Sequence, residues 1–327
     1  MSLATSLEKA GLGISVRLLE YTGDGERIVA VASKVSLSRS PAERLLAIGE
    51  DEVETWILET FRRQHFSPWE HSVYTFMVEG LSRVASHQLV RHRVASYTQL
   101  SHRYSEGYLR DAALEACEYI GLDCPSKPAE TEGGRKAAYR LYSQALERAA
   151  RDFGARERLA IAAKAFVIPP TLLARGDGGN GVVEAYLRSA ATYYSLLSRG
   201  ARREDARYIL PDALRTRIVV TMNARELIQV FFPLRMCTRA QWEIRHIAWL
   251  LWRELSRVHP RLFRWAGPSC VLRENTLRTT PASLYSYLKG VERFTQPRCP
   301  ELVENKAIPG CLRQAASVAP SGDGEYE

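Results

Sequence analysis

Arg91-His92-Arg93-Val94-Ala95-Ser96-Tyr97-Thr98-Gln99-Leu100-Ser101-His102-Arg103 is the stretch from which the rest of the chain is read. It sets three arginines, two histidines and two serines within thirteen residues. A guanidinium grips phosphate as a bidentate fork, and a serine hydroxyl adds a short neutral donor. The pattern therefore points to an anion held from several sides. The plain alternative is a solvated basic loop, and the flanking sequence argues for the specific reading.

Upstream, residues 82–90 read as a helix leading straight into the arginines, and residues 72–78 alternate as a strand. Before them stands a polar turn, residues 65–71, and a helix over 50–64 with Val53, Trp56, Ile57 and Phe61 on one face. Ser40-Pro41-Ala42-Glu43 reads as a helix start, with serine as the cap and proline in the first turn. Residues 16–32 are β-rich enough for one or two strands. Downstream, residues 105–164 hold turn-rich segments and charged helices over 135–152 and 156–165, and read as an insertion. Helices are predicted at 182–198, 204–208, 224–232 and 240–258, and a buried strand at 216–221. Gly176-Asp177-Gly178-Gly179-Asn180-Gly181 follows no strand, so it reads as a flexible loop and not as a dinucleotide fingerprint. The last sixty or so residues are proline-rich, and 317–327 are predicted to be disordered.

A second polar concentration comprises Arg207, Asn223, Arg225, Gln229, Arg235 and Gln241. It is threaded between apolar runs, as polar groups lining a cleft would be. Arg235 follows Phe231-Phe232-Pro233-Leu234, which predicts a buried base and a head that faces a site. The structural alternative is a helix cap, or a pair with Glu226 or Glu243.

Composition sets bounds. At 327 residues the chain can bury a full core. The formal net charge is +8, and only seven of the 45 basic residues are lysine, an excess of arginine that suits phosphate recognition. No apolar run reaches membrane-spanning length, and the N-terminus lacks a signal-peptide pattern. The six cysteines (117, 124, 237, 270, 299, 311) form no Cys-x-x-Cys pair, so no metal site is expected. A cytoplasmic enzyme with mostly free thiols is the default; a bridge between Cys117 and Cys124 is left open.

The two clusters together resemble the flavin-dependent thymidylate synthases. That family carries Arg-His-Arg-x-x-Ser-x-x-x-x-Ser-x-Arg, and every defined position is matched from Arg91 to Arg103. His65-x-Ser67-Pro68-x-Glu70-His71, Gln88, Ala206-Arg207, Asn223-Ala224-Arg225 and Leu234-Arg235 before Ala240-Gln241-Trp242-Glu243 follow the family's order.

The resemblance implies reductive methylation of dUMP to dTMP, with methylenetetrahydrofolate as carbon donor and NADPH as hydride source through FAD. It implies no enzymatic cysteine nucleophile. It also implies a homotetramer with shared active sites, and neither nucleic acid nor membrane as partner. By resemblance Arg235 polarises the pyrimidine, an oxyanion-type role, and His65 lies by the flavin; a helix-capping histidine is its alternative. Gln88, Arg91, Gln99, Ser101, Arg103, Arg207 and Arg235 match dUMP-binding positions, helped by backbone N–H groups over 99–101. Ser36, Ser67, Arg91, His92, Arg93, Gln99, Asn223, Arg225 and Gln229 match flavin-binding positions. Gln99 stands where many members of the family have Glu, and Gln229 at a position where Asn also occurs.

The implied fold is α+β, a mixed sheet covered by helices. One catalytic domain would span 1–265, with the helical insertion at 105–165, and 266–327 would be a C-terminal extension. The rival readings are a basic nucleic-acid-binding protein and an inactive paralogue of the family.

Overall fold

The computed structural model describes residues 13–173 and 177–317. By its contacts the chain divides into two units, one chiefly of Gly80–Ser86 and Gln99–Arg217, the other of Ile14–Glu79, His87–Thr98 and Ile218–Glu327.

The first unit is helical. Gly107–Tyr119, Glu132–Asp152, Ala155–Ala165 and Asp177–Ser198 pack around Ala112, Ala116, Ala145, Ala149, Leu187 and Ala190, all at 0% exposure. Such small side chains let helices approach closely, and Tyr142 and Tyr194 fill what remains. Thr131 starts the Glu132–Asp152 helix by accepting the Gly134 N–H at 3.2 Å. A disulfide ties Cys117, in the last turn of Gly107–Tyr119, to Cys124 beyond the helix. Residues 105–165, expected as a helical insertion, share one core with the helix Asp177–Ser198. That helix also absorbs Asp177–Gly181, where a loop was predicted.

The second unit carries most of a four-stranded sheet in the order β1-β2-β4-β3: β1 Ser15–Tyr21, β2 Val73–Ser82, β3 Ala95–Gln99 and β4 Arg215–Asn223. The class is α+β, but the sheet is small and antiparallel where a mixed one was expected. β1 pairs with β2 through Val16↔Val78 and Leu18↔Phe76. Tyr74, Phe76 and Val78 on β2, and Ile218, Val220 and Met222 on β4, are buried at every second residue, the period of a half-covered sheet.

The helix Trp242–Val258 lies against β1 and buries Ile244, Ile247, Leu251 and Leu255. Gly25–Val35 packs on Glu50–Arg62. Of residues 16–32, read as one or two strands, only the part up to Tyr21 is a strand; residues 25–32 are helical. Gly25 fits because a Cβ there would meet Ser72 Oγ at 2.3 Å and the His259 ring at 2.6 Å. Pro41, not Ser40, occupies the cap position of Ala42–Leu46.

The segment after residue 265 folds with this unit. Glu274, fully buried, accepts the Thr295 N–H at 2.9 Å and the Gln296 N–H at 3.1 Å, and these donors hold its pKa down against desolvation. Asn275 is clasped by the Ala282 N–H and the Tyr287 hydroxyl, both at 2.9 Å. The predicted disorder lies, except for Ser317, outside the described residues.

Candidate functional site

The sequence-predicted residues fall into two sets, one in each unit. In the first unit Gln99, Ser101 and Arg207 line one cavity of about 500 Å³, together with Arg83, His102 and Asp212. The wall forms because the chain leaves β3 into a turn. There Leu100 N–H donates to the Arg217 carbonyl at 3.0 Å, and Gln99 Nε2 to Thr216 Oγ1 at 3.2 Å. The Leu100 N–H is thereby spent, so the backbone donors expected from residues 99–101 are fewer by one.

Arg83 escaped the sequence reading; its signal would have been a cationic residue at a helix start beside the signature. Burial lowers its pKa, with Asp212 acting against this and Arg207 adding to it. His102 is held neutral, its pKa pushed down to about 4 by desolvation and by Arg83. Its Nε2 is closed off from solvent without a partner among the described residues. Arg103 is not part of the cavity wall. It is half-exposed, lies over the Tyr104 ring and approaches Glu204 at 3.8 Å, while Arg207 Nε donates to the Glu204 carbonyl at 3.2 Å.

In the second unit a chain of buried polar groups ends at Arg235. The guanidinium Nε donates to His92 Nε2 at 3.0 Å, and Nη2 donates to the Gln88 carbonyl at 3.3 Å. His92 Nδ1 lies 3.2 Å from Glu226 Oε1. His92 is 4% exposed and Glu226 6%. Burial, then the Arg235 charge, pushes the His92 pKa down to about 4. The imidazole is therefore neutral, and an acceptor on Nε2 implies a proton on Nδ1 donated to Glu226. Desolvation raises the Glu226 pKa. The Tyr97 hydroxyl fixes the backbone by donating to the His92 carbonyl at 2.7 Å and the Leu89 carbonyl at 2.9 Å. Arg235 thus meets neither alternative pairing directly: His92 stands between it and Glu226.

A local feature of the chain delivers Arg235. Asn223 caps the helix start, accepting the Glu226 N–H at 2.8 Å. The helix predicted over 224–232 then widens into a π turn, Leu227–Phe231, before Phe232–Arg235. Such turns are uncommon and frequent at functional sites.

The remaining positions are peripheral. Arg91, Arg93, Ser67 and His65 are exposed. Arg225 Nη1 reaches Glu70 at 2.5 Å, and its Nε donates to Gln229 at 2.9 Å. Ser36 Oγ donates to the Ser33 carbonyl at 2.8 Å. The helix Glu50–Arg62 is closed by the His65 backbone N–H on the Thr60 carbonyl at 2.9 Å, with Gln64 at φ 59, so the backbone of His65 and not its ring does the capping. His92, expected among flavin contacts, has both ring nitrogens engaged inside the protein. Among the described residues no group of three or more His, Cys, Asp or Glu is arranged to hold a metal ion, and no helix is long and apolar enough to cross a membrane.

Comparison with known proteins adds to this geometry. The family model described as thymidylate synthase complementing protein matches residues 17–261. A flavin-dependent thymidylate synthase from Aeropyrum pernix is 96% identical over 325 residues, covering 99% of this chain and 100% of that one. One from Sulfolobus acidocaldarius is 41% identical over 95% of this chain and 98% of its own length. Among solved structures, the flavin-dependent thymidylate synthase of Helicobacter pylori complexed with FAD and dUMP matches at TM-score 0.54 and 20% identity. It covers 77% of this chain and 99% of its own, a likeness of fold.

Proposed function

The chain belongs to the flavin-dependent thymidylate synthase family, and from that premise we propose how its own residues divide the work. The enzyme methylates dUMP to dTMP with FAD as cofactor and with methylenetetrahydrofolate and NADPH as co-substrates. When bound, FAD supplies the hydride chemistry, and the protein supplies binding, orientation and electrostatics.

The donor set fits both anionic ligands. Arg91 and Arg93 stand exposed on either side of buried His92, and Ser67, Asn223, Arg225 and Gln229 add polar groups in the same unit; these would hold the flavin nucleotide. The cavity with Ser101, Arg207 and Arg83 suits the dUMP phosphate, and its unpartnered His102 Nε2 is a polar atom that a ligand would satisfy. By the family resemblance, Arg103, Gln99, Gln88 and Arg91 are also dUMP-binding positions.

Arg235 acts on the pyrimidine. Two of its five N–H groups are spent on His92 and the Gln88 carbonyl, which leaves three to face electron density gathering on the ring. This held guanidinium is the observation that carries the reading. No thiol is needed as nucleophile: Cys237, Cys270, Cys299 and Cys311 line a different cavity, and burial raises the thiol pKa of Cys237 and takes that of Cys270 to about 12. We further infer a cytoplasmic homotetramer with active sites built by several subunits.

The test is an absorbance scan of the purified protein followed by an assay of dTMP formation. A flavin spectrum with dUMP-dependent oxidation of reduced flavin is expected. Co-purifying nucleic acid and a colourless protein would favour the nucleic-acid binder, and a yellow protein without turnover the inactive paralogue.

A further inference from the structure

The residue matched to flavin contact, His92, offers no free ring nitrogen, and what it holds is Arg235. One nitrogen lies 3.2 Å from the Glu226 carboxylate, and the other accepts Arg235 Nε at 3.0 Å. The ring packs edge-on against Phe231, 4.9 Å between centroids, and is 4% exposed. Its backbone is pinned by Tyr97 at 2.7 Å. Every freedom of the imidazole is removed: tautomer, tilt and depth.

A flexible arginine side chain costs entropy to hold in one pose, and pre-ordering it lowers that cost at the moment of reaction. We propose that His92, oriented by Glu226, is the positioning residue that aims the Arg235 guanidinium at the pyrimidine, an inference that rests on the assignment of Arg235 to the ring. The Glu226 carboxylate fixes the Nδ1–H tautomer, so that Nε2 is the acceptor Arg235 requires. In the other tautomer two N–H groups would face each other. Glu226 reaches this place because Asn223 caps its backbone N–H at 2.8 Å in the turn that opens the same helical stretch.

The experiment is a double-mutant cycle in the flavin-loaded enzyme. His92→Phe keeps a ring against Phe231 and removes the acceptor; His92→Asn keeps an acceptor. Flavin absorbance and Tm are recorded for each variant. In the otherwise native protein, His92→Phe is expected to lower kcat by about 10- to 100-fold, the scale of a small misplacement of a reacting group, with KM for dUMP changed far less. His92→Asn should recover a substantial part of that loss. In an Arg235→Ala background, His92→Phe should lower kcat by no more than about 2-fold, since coupled residues are non-additive. Equal losses in both backgrounds, or native kcat in His92→Phe, would overturn the proposal. So would loss of flavin from both His92 variants to the same degree, which marks a structural role. An Arg235→Ala enzyme with native turnover would instead remove the role of Arg235 itself, an outcome distinct from the others.

Discussion

The two histidines of the 91–103 stretch are alike in chemistry and opposite in circumstance. Both are driven neutral by burial, each with a pKa near 4. His92 has both nitrogens satisfied by the protein; His102 Nε2 has no partner. A buried polar group that the protein satisfies is framework, complete before any ligand arrives. One left open costs stability and is tolerated where a ligand completes it. On this reading the His92 region is a pre-set tool and the His102 cavity a receptacle.

The contrast breaks most visibly at Arg235. Arg235→Ala should lower dTMP formation by at least ~100-fold, the scale of losing one transition-state charge contact, while the flavin absorbance stays. Native turnover would end the distinction, since the pre-set region would then do nothing.

Substitutions in the receptacle, at Arg207, and outside its wall, at Arg103, should act on binding. Arg207→Ala and Arg103→Ala are each expected to weaken dUMP affinity about 10-fold or more, as lost charge-assisted hydrogen bonds of about 1.5–3 kcal/mol do, with kcat within a few-fold. Calorimetric titration with dUMP measures this, and an unchanged affinity would strike that residue from the phosphate set.

A pH experiment sharpens the comparison. The folded pKa of His102, about 4, lies below the ordinary value of 6.5. Between these values the unfolded chain binds the proton and the folded one does not, so stability is full above pH 6.5 and declines as pH falls toward 4. His102→Asn should reduce this acid loss in Tm relative to the native protein, and dUMP should stabilise the native protein more than the variant. Identical Tm-versus-pH curves would show that His102 is not the group responsible.

The smallest effect is expected at Arg225. Its bonds to Glu70 and Gln229 lie on exposed surface, and such pairs contribute roughly 0–1 kcal/mol. Arg225→Ala should barely move the unfolding midpoint but weaken FAD retention on dialysis; full retention would take Arg225 out of the cofactor set.

Much of this was legible in the residues. The 50–64, 182–198 and 240–258 helices follow from apolar spacing, because each buries one stripe. Residues 25–32 misled because β-branched residues state local preference, whereas burial of Val29, Ala30 and Ser33 on one helical face decided the outcome. The helix Gly107–Tyr119 was missed since its buried face is mostly alanine, which carries little hydropathic contrast. Glu226 could be weighed as a direct partner of Arg235, but not as its indirect support through a histidine 134 residues away in the chain. Its signal was the Asn-x-x-Glu spacing of a capped helix start. The folding of residues 269–316 was hidden by proline content, which describes turns without saying what they enclose.

The π turn at Leu227–Phe231 sets the heading of everything that follows it. Each residue of a helix swings the next by about 100°. Tightening that turn to ordinary helical pitch, with no residue removed, would rotate Arg235 a quarter-circle or so, and leave the enzyme with every necessary atom and none of its aim.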